Sequence, residues 1–103
     1  MDSFTVLADP SRRRIVELLS RGPKNAGAIQ RQFSISQPAV SQHLKTLREA
    51  GLVEVEVDAQ RRVYRLRQEP FDDMQSWVAT IQSYWLEKLD RMDVELSKES
   101  RES

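Results

Sequence analysis

The chain has 103 residues, of which 39% are hydrophobic and 31% are charged, which fits one soluble globular domain and argues against wholesale disorder. It contains no run of about 18 apolar residues, and its N-terminal segment lacks a basic region followed by an apolar stretch, so we expect neither a membrane span nor a signal peptide. It has no cysteine, which excludes disulfides and thiolate metal sites and is compatible with a cytoplasmic location, the location we expect.

The net charge of zero conceals an uneven distribution of charge along the chain. Residues 11–67 contain 12 basic and 5 acidic groups, whereas residues 68–103 contain 4 basic and 9 acidic groups. The basic middle suggests a surface for a polyanion, and the acidic end suggests a segment with another purpose. An unevenly charged solvated surface would produce the same counts, so charge alone leaves both interpretations open.

The first helix is predicted after a short apolar patch, Phe4–Leu7. Asp9-Pro10 has the pattern of a helix N-cap followed by the first helical residue. The helix continues through residues 11–20, and Gly22-Pro23 ends it. Its inward stripe consists of residues at helical spacing, namely Ile15, Leu18 and Leu19.

Residues 25–50 predict a helix-turn-helix. Asn25 has the residue type of an N-cap for a helix that continues to Phe33 and has Ala26, Ile29 and Phe33 on its inward side. A tight connection at Ser34-Ile35 leads to a second helix, so about three residues join the two helices.

The second of these helices lies in the stretch SISQPAVSQHLKTLREAG, residues 34–51. Ser36 is suited to the N-cap, Pro38 to the first turn and Gly51 to a left-handed stop. Its apolar back has the spacing i, i+4, i+7 and consists of Val40, Leu44 and Leu47. Its front is mostly uncharged and polar and includes Gln37, Ser41 and Lys45.

A β-hairpin is predicted directly after the helix-turn-helix, over residues 52–67. Residues 52–57 alternate between apolar side chains and glutamate, and residues 61–67 alternate between apolar side chains and arginine. The intervening turn, residues 58–61, lacks the glycine of a strong hairpin signal. A hairpin in this position is a wing.

A last helix is predicted from Phe71 to about Leu96, because apolar residues recur there every three or four positions. At about 1.5 Å per residue it would be roughly 40 Å long, which exceeds what the rest of so small a domain can cover. Its stripe could be a dimer interface, intramolecular core or the wall of a ligand groove, and we favour the dimer interface. The predicted interface residues are Phe4, Leu7, Trp77, Ile81, Trp85, Leu89 and Met92.

The front of the second helix carries the residue types that read base edges in a major groove. Gln37, Ser41 and Gln42 are predicted to contact bases, since glutamine pairs bidentately with adenine and serine can donate or accept. Pro38 and Ala39 are predicted to make apolar contacts, for example with a thymine methyl group. An ordinary amphipathic helix with a solvated polar face is the alternative.

Basic residues around this front are predicted to contact phosphates. They are Lys45 on the helix and Arg61 and Arg62 at the tip of the wing, which could also enter a narrow minor groove. Arg65 and Arg67 could contact DNA, face solvent or pair with glutamates across the hairpin.

His43 is the only histidine in the chain, and it could contact phosphate, be partly buried or respond to pH. A single histidine without a second ligand makes a poor metal site, so we expect no metal. The chain also lacks a nucleophile-elbow pattern, a phosphate-binding glycine loop and a Cys/His set. We therefore expect no catalytic residues, no enzymatic activity and no cofactor.

The order of elements and three stretches of residues resemble the ArsR/SmtB family of small bacterial winged-helix repressors. The stretches are LADPSRRRIVELL (7–19), SISQPAVSQHLKTLREAGLV (34–53) and RRVYRL (61–66). The resemblance implies a dimeric winged helix that represses transcription by occupying operator DNA. It also implies a recognition helix at 36–50, a wing at 52–67 and dimerisation helices at 2–8 and 71–97.

The chain departs from the metal-sensing members of that family. Their thiolate site would need cysteines, and residues 26–33 have none. Their C-terminal-helix site would need paired Asp/His ligands, and residues 71–97 contain no histidine. The resemblance therefore points to the branch that does not sense metals.

Together these patterns predict a fold that is mostly α with a β-hairpin, a single winged helix-turn-helix domain over residues 1–103 with N- and C-terminal dimerisation helices. The predicted function is that of a homodimeric repressor, of its own gene or of others, with double-stranded operator DNA and a second copy as partners, and no membrane. Two alternatives remain: a small-molecule-responsive sensor of the same fold, and a winged-helix module that binds proteins. No inducer can be named from the sequence.

Overall fold

The computed structural model describes the backbone of residues 2–102 and the side chains of residues 2–92. The helices are α1 (Ser3–Val6), α2 (Pro10–Leu19), α3 (Ala26–Gln30), α4 (Gln37–Glu49) and α5 (Gln68–Glu102), and the strands are β1 (Lys24–Asn25), β2 (Val53–Asp58) and β3 (Arg61–Leu66). The predicted class, mostly helical with a β-hairpin in a winged helix-turn-helix, is confirmed. Two compact units, Met1–Phe71 and Asp72–Ser103, are distinguished by their internal contacts. The single domain over residues 1–103 stays a prediction.

α2 begins where the Asp9-Pro10 pattern places it. The side chain of Asp9 accepts hydrogen bonds from the amides of Ser11 and Arg12, at 2.8 and 3.2 Å, and so satisfies two donors that the first helical turn leaves unpaired. The predicted inward stripe of α2 is confirmed, since all three of its residues are buried.

The helix-turn-helix differs from the prediction in the length of its turn. α3 ends at Gln30 instead of Phe33, so residues 31–36 form the connection to α4. The chain tightens after α3 through an i→i+3 bond from the Phe33 amide to the Gln30 carbonyl, at 3.0 Å. The side-chain amide of Gln30 also donates to the carbonyl of Ile35 at 2.9 Å and thereby holds the connection. Ile29 alone of the predicted inward residues of α3 is fully buried.

α4 has the caps that its sequence predicts. The Ser36 hydroxyl accepts from the Ala39 amide at 3.3 Å, and Pro38 lies in the first turn. At the other end, Gly51 adopts a positive φ of 78°. The amide of Gly51 donates to the carbonyl of Arg48, and the amide of Leu52 donates to the carbonyl of Leu47, both at 3.0 Å. This pair of hydrogen bonds is the pattern of a Schellman motif.

The wing is the predicted hairpin, and the structure adds a strand that the sequence did not reveal. β2 and β3 pair antiparallel from Val53↔Leu66 to Asp58↔Arg61, and the turn between them contains Ala59 with a positive φ of 57°. The two-residue β1 pairs with the other edge of β3, so the sheet has the order β1-β3-β2. A strand this short leaves no alternation to detect, so the sequence does not predict it.

The core lies in the first unit and is entirely apolar apart from the hydroxyl of its one tyrosine. It packs all four short helices against the sheet. Leu52 and Val53, which lead from the end of α4 into β2, are part of this core. Within the described residues no charged side chain is buried. The core residues are Val6, Ile15, Leu18, Leu19, Ile29, Val40, Leu44, Leu47, Leu52, Val53 and Tyr64.

α5 extends beyond its predicted bounds of 71–97 at both ends, over Gln68–Glu102. Pro70, one residue before the predicted start at Phe71, lies in the first turn of α5, where its missing N–H has no helical acceptor to lose. The side chain of Leu96 lies outside the described residues. No helix in the described part of the chain is long and apolar enough to span a membrane.

The carboxylate of Asp9 is more acidic than an ordinary aspartate. Partial burial acts to raise its pKa, but hydrogen bonds from the amides of Arg12 and Ser11 outweigh this effect. Electrostatic interactions with His43 and Arg12 act in the same direction, and the net result is a pKa below the usual 3.8. The charge of Asp9 therefore stabilises the fold above pH 4, and this contribution is lost as the pH falls through the lowered folded-state pKa.

We expect Asp9→Ala to lower the free energy of unfolding at pH 7 by about 1 kcal/mol, as loss of an N-cap does. Asp9→Asn keeps a capping oxygen and removes only the charge. Urea denaturation between pH 7 and pH 2 should therefore show the stability difference between wild type and Asp9→Asn shrinking below pH 4. An identical pH dependence for the two proteins would contradict the role assigned to the charge.

Candidate nucleic-acid interface

The front of α4 presents most of the predicted base-contacting side chains to solvent. Gln37, Pro38, Ser41 and Gln42 are exposed, while Ala39 is half-buried. They occupy the first turns of a helix whose back is packed in the core, so their direction is fixed by that packing. The structure thus brings the predicted group together on one helix surface, and its contact with bases stays a prediction.

His43 lies between α4 and α2, where it contacts Arg12. It is half-buried, and its Nδ1 lies 3.4 Å from Nη1 of Arg12. Because a guanidinium can only donate, Nδ1 is the acceptor in this contact, and the proton of the neutral ring is then on Nε2. This arrangement assigns His43 a packing role and leaves Nε2–H as a donor.

Arg12 connects three helices, a role that the sequence did not predict. Its Nε donates to the carbonyl of Val6 at 2.6 Å, at the end of α1, while its Nη1 contacts His43 on α4. Arg13 supports the same region by donating to the carbonyls of Leu7 and Ala8 at 2.9 and 3.1 Å. Two of the three consecutive arginines, Arg12 and Arg13, therefore stabilise the α1–α2 connection, and Arg14, like Arg13, is exposed. No spacing rule identifies such a contact, because its partners are separated in sequence.

Lys45 is exposed on α4 and lies 4.0 Å from Glu49, one turn further along the helix. An exposed pair of this kind contributes at most about 0.5 kcal/mol and reorganises readily. The pair therefore leaves Lys45 able to exchange its carboxylate partner for a phosphate.

The arginines of the wing fall into two groups. Arg61 and Arg62 are exposed beside the turn, and no ion pair of theirs occurs within the described residues. Arg65 pairs with Glu56 across the hairpin and has Glu54 Oε1 at 4.0 Å from its Nε, while Arg67 reaches Glu69 at 3.3 Å. Arg65 and Arg67 could contact DNA, face solvent or pair with glutamates, and in the structure both pair with glutamates.

An open groove of about 670 Å³ lies between the tip of the wing and α3. Arg61 and Arg62 line it on the side of the wing, and Arg31 lines it on the side of α3. The remaining lining residues are small or carry amides, namely Asn25, Ala26, Gly27 and Gln60. The groove is therefore a cationic surface continuous with the wing.

In the second unit, α5 exposes the predicted apolar stripe. Trp77 and Trp85 have exposed fractions of 55% and 61%, and Ile81, Leu89 and Met92 are also exposed. In the first unit Phe4 is exposed at 43% and Leu7 is half-buried. Burial of these residues in a dimer stays a prediction.

Residues 2–92 contain no group of three or more histidine, aspartate or glutamate side chains placed to hold a metal ion. In the first unit, the acidic side chains that make described contacts either cap a helix or pair with an arginine or lysine. The described side chains therefore offer no metal centre to which a function could be assigned.

Comparison with known proteins gives one family and several relatives. The family model described as "Bacterial regulatory protein, arsR family" matches residues 9–55, from the cap of α2 into β2. The chain is similar to the HTH-type transcriptional regulator Rv2034 of Mycobacterium tuberculosis (strain ATCC 25618 / H37Rv), with 48% identity over 64 residues. That match covers 62% of this chain and 60% of the relative, so the matched part is less than two thirds of that protein.

A second relative and a solved structure extend the similarity. The transcriptional repressor SdpR of Bacillus subtilis (strain 168) is 35% identical over 75 residues, which cover 73% of this chain and 83% of the relative. The solution structure of the homodimeric winged helix-turn-helix DNA-binding domain of Mb0332 from Mycobacterium bovis matches with a TM-score of 0.62 and 26% identity. It covers 77% of this chain and 73% of that one.

Proposed function

This chain belongs to the arsR family of bacterial regulatory proteins, and from that premise we propose that it is a homodimeric transcriptional repressor that binds a palindromic operator. The observation that carries the proposal is the front of α4, where uncharged polar side chains are exposed in the first turns of a helix held rigidly by its buried back. A solvated helix would more often carry Glu/Lys pairs in those turns.

Base recognition is assigned to Gln37, Ser41 and Gln42, with Pro38 and Ala39 making apolar contacts. An α-helix fits the major groove of B-DNA, and the glutamine amide matches the donor and acceptor pair of adenine. The first turns are the part of a recognition helix that approaches the base edges in helix-turn-helix proteins. The exposed fraction of these side chains is consistent with that assignment.

Phosphate contacts are assigned to Lys45, His43, Arg61 and Arg62. The wing-tip arginines are supported by their exposure and by the absence of a described carboxylate partner. His43 is supported by the contact of its Nδ1 with Arg12, because the opposite ring nitrogen then carries a proton that can be donated to a phosphate oxygen.

Dimerisation is assigned to α5 together with Phe4 and Leu7. An exposed stripe with two tryptophans has the composition of the centre of a protein interface. The Mycobacterium bovis relative is described as homodimeric. A two-fold axis would place two copies of α4 on half-sites about 34 Å apart, which explains why we propose a palindrome.

We propose no derepression by metal. The chain has no cysteine, and α5 has no histidine, so the two ligand types of the metal-sensing members are missing from those segments. We therefore assign the chain to the branch that does not sense metals.

We expect Gln37→Ala and Gln42→Ala each to cost about 1–3 kcal/mol in binding to the preferred site and to relax the preference at one base pair. The site is first selected from random duplexes with wild-type protein, and each variant is then measured by fluorescence anisotropy on single-base substitutions. Gln75→Ala, an exposed glutamine of α5, is the control. Unchanged base preference in both α4 variants would remove these residues from the readout.

We expect substitutions of two wing arginines to affect the salt dependence of DNA binding differently. Arg61→Ala should weaken binding to all sequences and lower the slope of log K against log salt by about 1 for each bound protomer, because one phosphate contact is lost. Arg65→Ala should leave that slope unchanged, since Arg65 already pairs with Glu56. Equal slopes for wild type and Arg61→Ala would contradict the proposed phosphate contact.

The dimer interface is tested by Trp85→Ala, which removes a large exposed side chain from the stripe. We expect dimer dissociation to become easier by about 2 kcal/mol or more, roughly 30-fold, as measured by sedimentation equilibrium. Glu87→Ala, which lies about 200° around the helix from Trp85, is the matched control. A wild-type monomer at every concentration, or a variant that dimerises as well as wild type, would contradict the assignment.

A further inference from the structure

Five cations form a continuous band across the first unit, outside the front of α4. We define this basic track as Arg21, Lys24, Arg31, Arg61 and Arg62. We propose that the basic track binds the phosphate backbone of DNA that flanks the base pairs read by α4. This inference rests on the proposed function, and it adds to it a binding surface contributed by α3, β1 and the end of α2.

The continuity of the track comes from two neighbouring grooves that share one residue. The groove of about 670 Å³ beside the wing is lined by Arg31, Arg61 and Arg62. A second groove, of about 280 Å³, is lined by Arg21, Lys24 and again Arg31. Arg31 thus joins the wing tip to the end of α2, and a strand of phosphates could follow both grooves without crossing an acidic residue.

The cations of the track differ in their pairing from other basic residues of the same unit. Within the described part of the chain none of the five takes part in an ion pair, whereas Arg12, Lys45, Arg65 and Arg67 all do. No aspartate or glutamate lines either groove. The arrangement concentrates cations that have no described ion pair in one place, and this favours an extended anion.

The other lining residues suit a nucleic-acid backbone better than a protein partner. Ala26, Gly27 and Ala28 are small and allow close approach, and the side-chain amides of Asn25, Gln32 and Gln60 can donate to phosphate oxygens. The only large apolar lining residue is Leu18, which is 9% exposed and belongs to the core. The grooves therefore lack the apolar anchors on which protein interfaces depend.

Position supports DNA as the source of these phosphates. The wing-tip arginines belong both to the track and to the proposed operator contacts, so DNA held by the wing would already reach one end of the track. Phosphate contacts carry little sequence information. The expected consequence is an affinity that increases with the length of flanking DNA whatever its sequence.

The experiment compares two duplexes, the selected site alone and the same site extended by about ten base pairs of arbitrary sequence on each side, roughly one helical turn. Binding is measured by anisotropy over a salt series for wild type, Arg31→Gln, and Arg21→Gln/Lys24→Gln/Arg31→Gln. These substitutions leave α4 and the wing unchanged. Arg91→Gln, which removes the same charge from the exposed surface of α5, is the matched control.

We expect the extension to strengthen wild-type binding at least tenfold and to steepen its salt slope. Arg31→Gln should lose part of this gain and the triple variant most of it, while both keep the wild-type base preference on the short duplex. Arg91→Gln should keep the full gain. Gln60→Glu, which places a carboxylate in the larger groove, should also reduce the gain, whereas Gln60→Ala should not.

Two results would overturn the inference, and they can be told apart. If wild type selects a site but extension changes neither affinity nor salt slope, or if the triple variant keeps the full gain, the basic track does not bind DNA and the proposed function stands. If wild type binds no duplex at any salt concentration, the proposed function and the track fail together.

Discussion

The burial of Val40, Leu44 and Leu47 fixes the rotation of α4 about its axis, and the proposed base contacts depend on that rotation. Neighbouring residues of a helix are separated by about 100°, so a shift of one position would turn the polar front toward the core. Each fully buried side chain of this kind contributes about 1.5–3 kcal/mol, which makes such a rotation costly. The Schellman motif then sends Leu52 directly into the same core, so that the wing starts from a fixed point.

Charge pairing explains how an overall neutral chain can present a local cationic surface. The register of the hairpin places Arg65 opposite Glu54, with Glu56 two residues away on the same face, so these charges compensate one another. Arg61 and Arg62 lie at the other end of β3, where Asp58 is the cross-strand neighbour of Arg61 but forms no described ion pair with it. The composition of residues 11–67 gives the number of cations, but pairing decides which of them remain available for phosphate, and that depends on strand register.

Elements governed by local rules were predictable from the sequence. α2 and α4 have capping residues at the expected positions and apolar residues at helical spacing, and the wing shows alternation on both strands. The early end of α3 was not predictable, because a hydrogen bond from Gln30 to Ile35 competes with helix continuation. The same limitation applies to Arg12, whose partners Val6 and His43 lie at different sequence separations. Contacts of this kind depend on tertiary packing, which periodicity does not report.

The division of the chain into a unit that we propose binds DNA and a helix with an exposed apolar stripe has an energetic consequence for the proposed repressor. A single copy of α4 reads too few base pairs for high specificity, and it gains from a second copy only if the two are held at the spacing of the half-sites. In the proposed dimer α5 provides that constraint, so its apolar stripe contributes to operator affinity although it contacts no DNA. The cost of binding the second half-site is then largely met by dimerisation, and DNA binding and dimerisation become thermodynamically linked. Any ligand that altered the packing of α5 would therefore change operator occupancy without approaching the recognition helix.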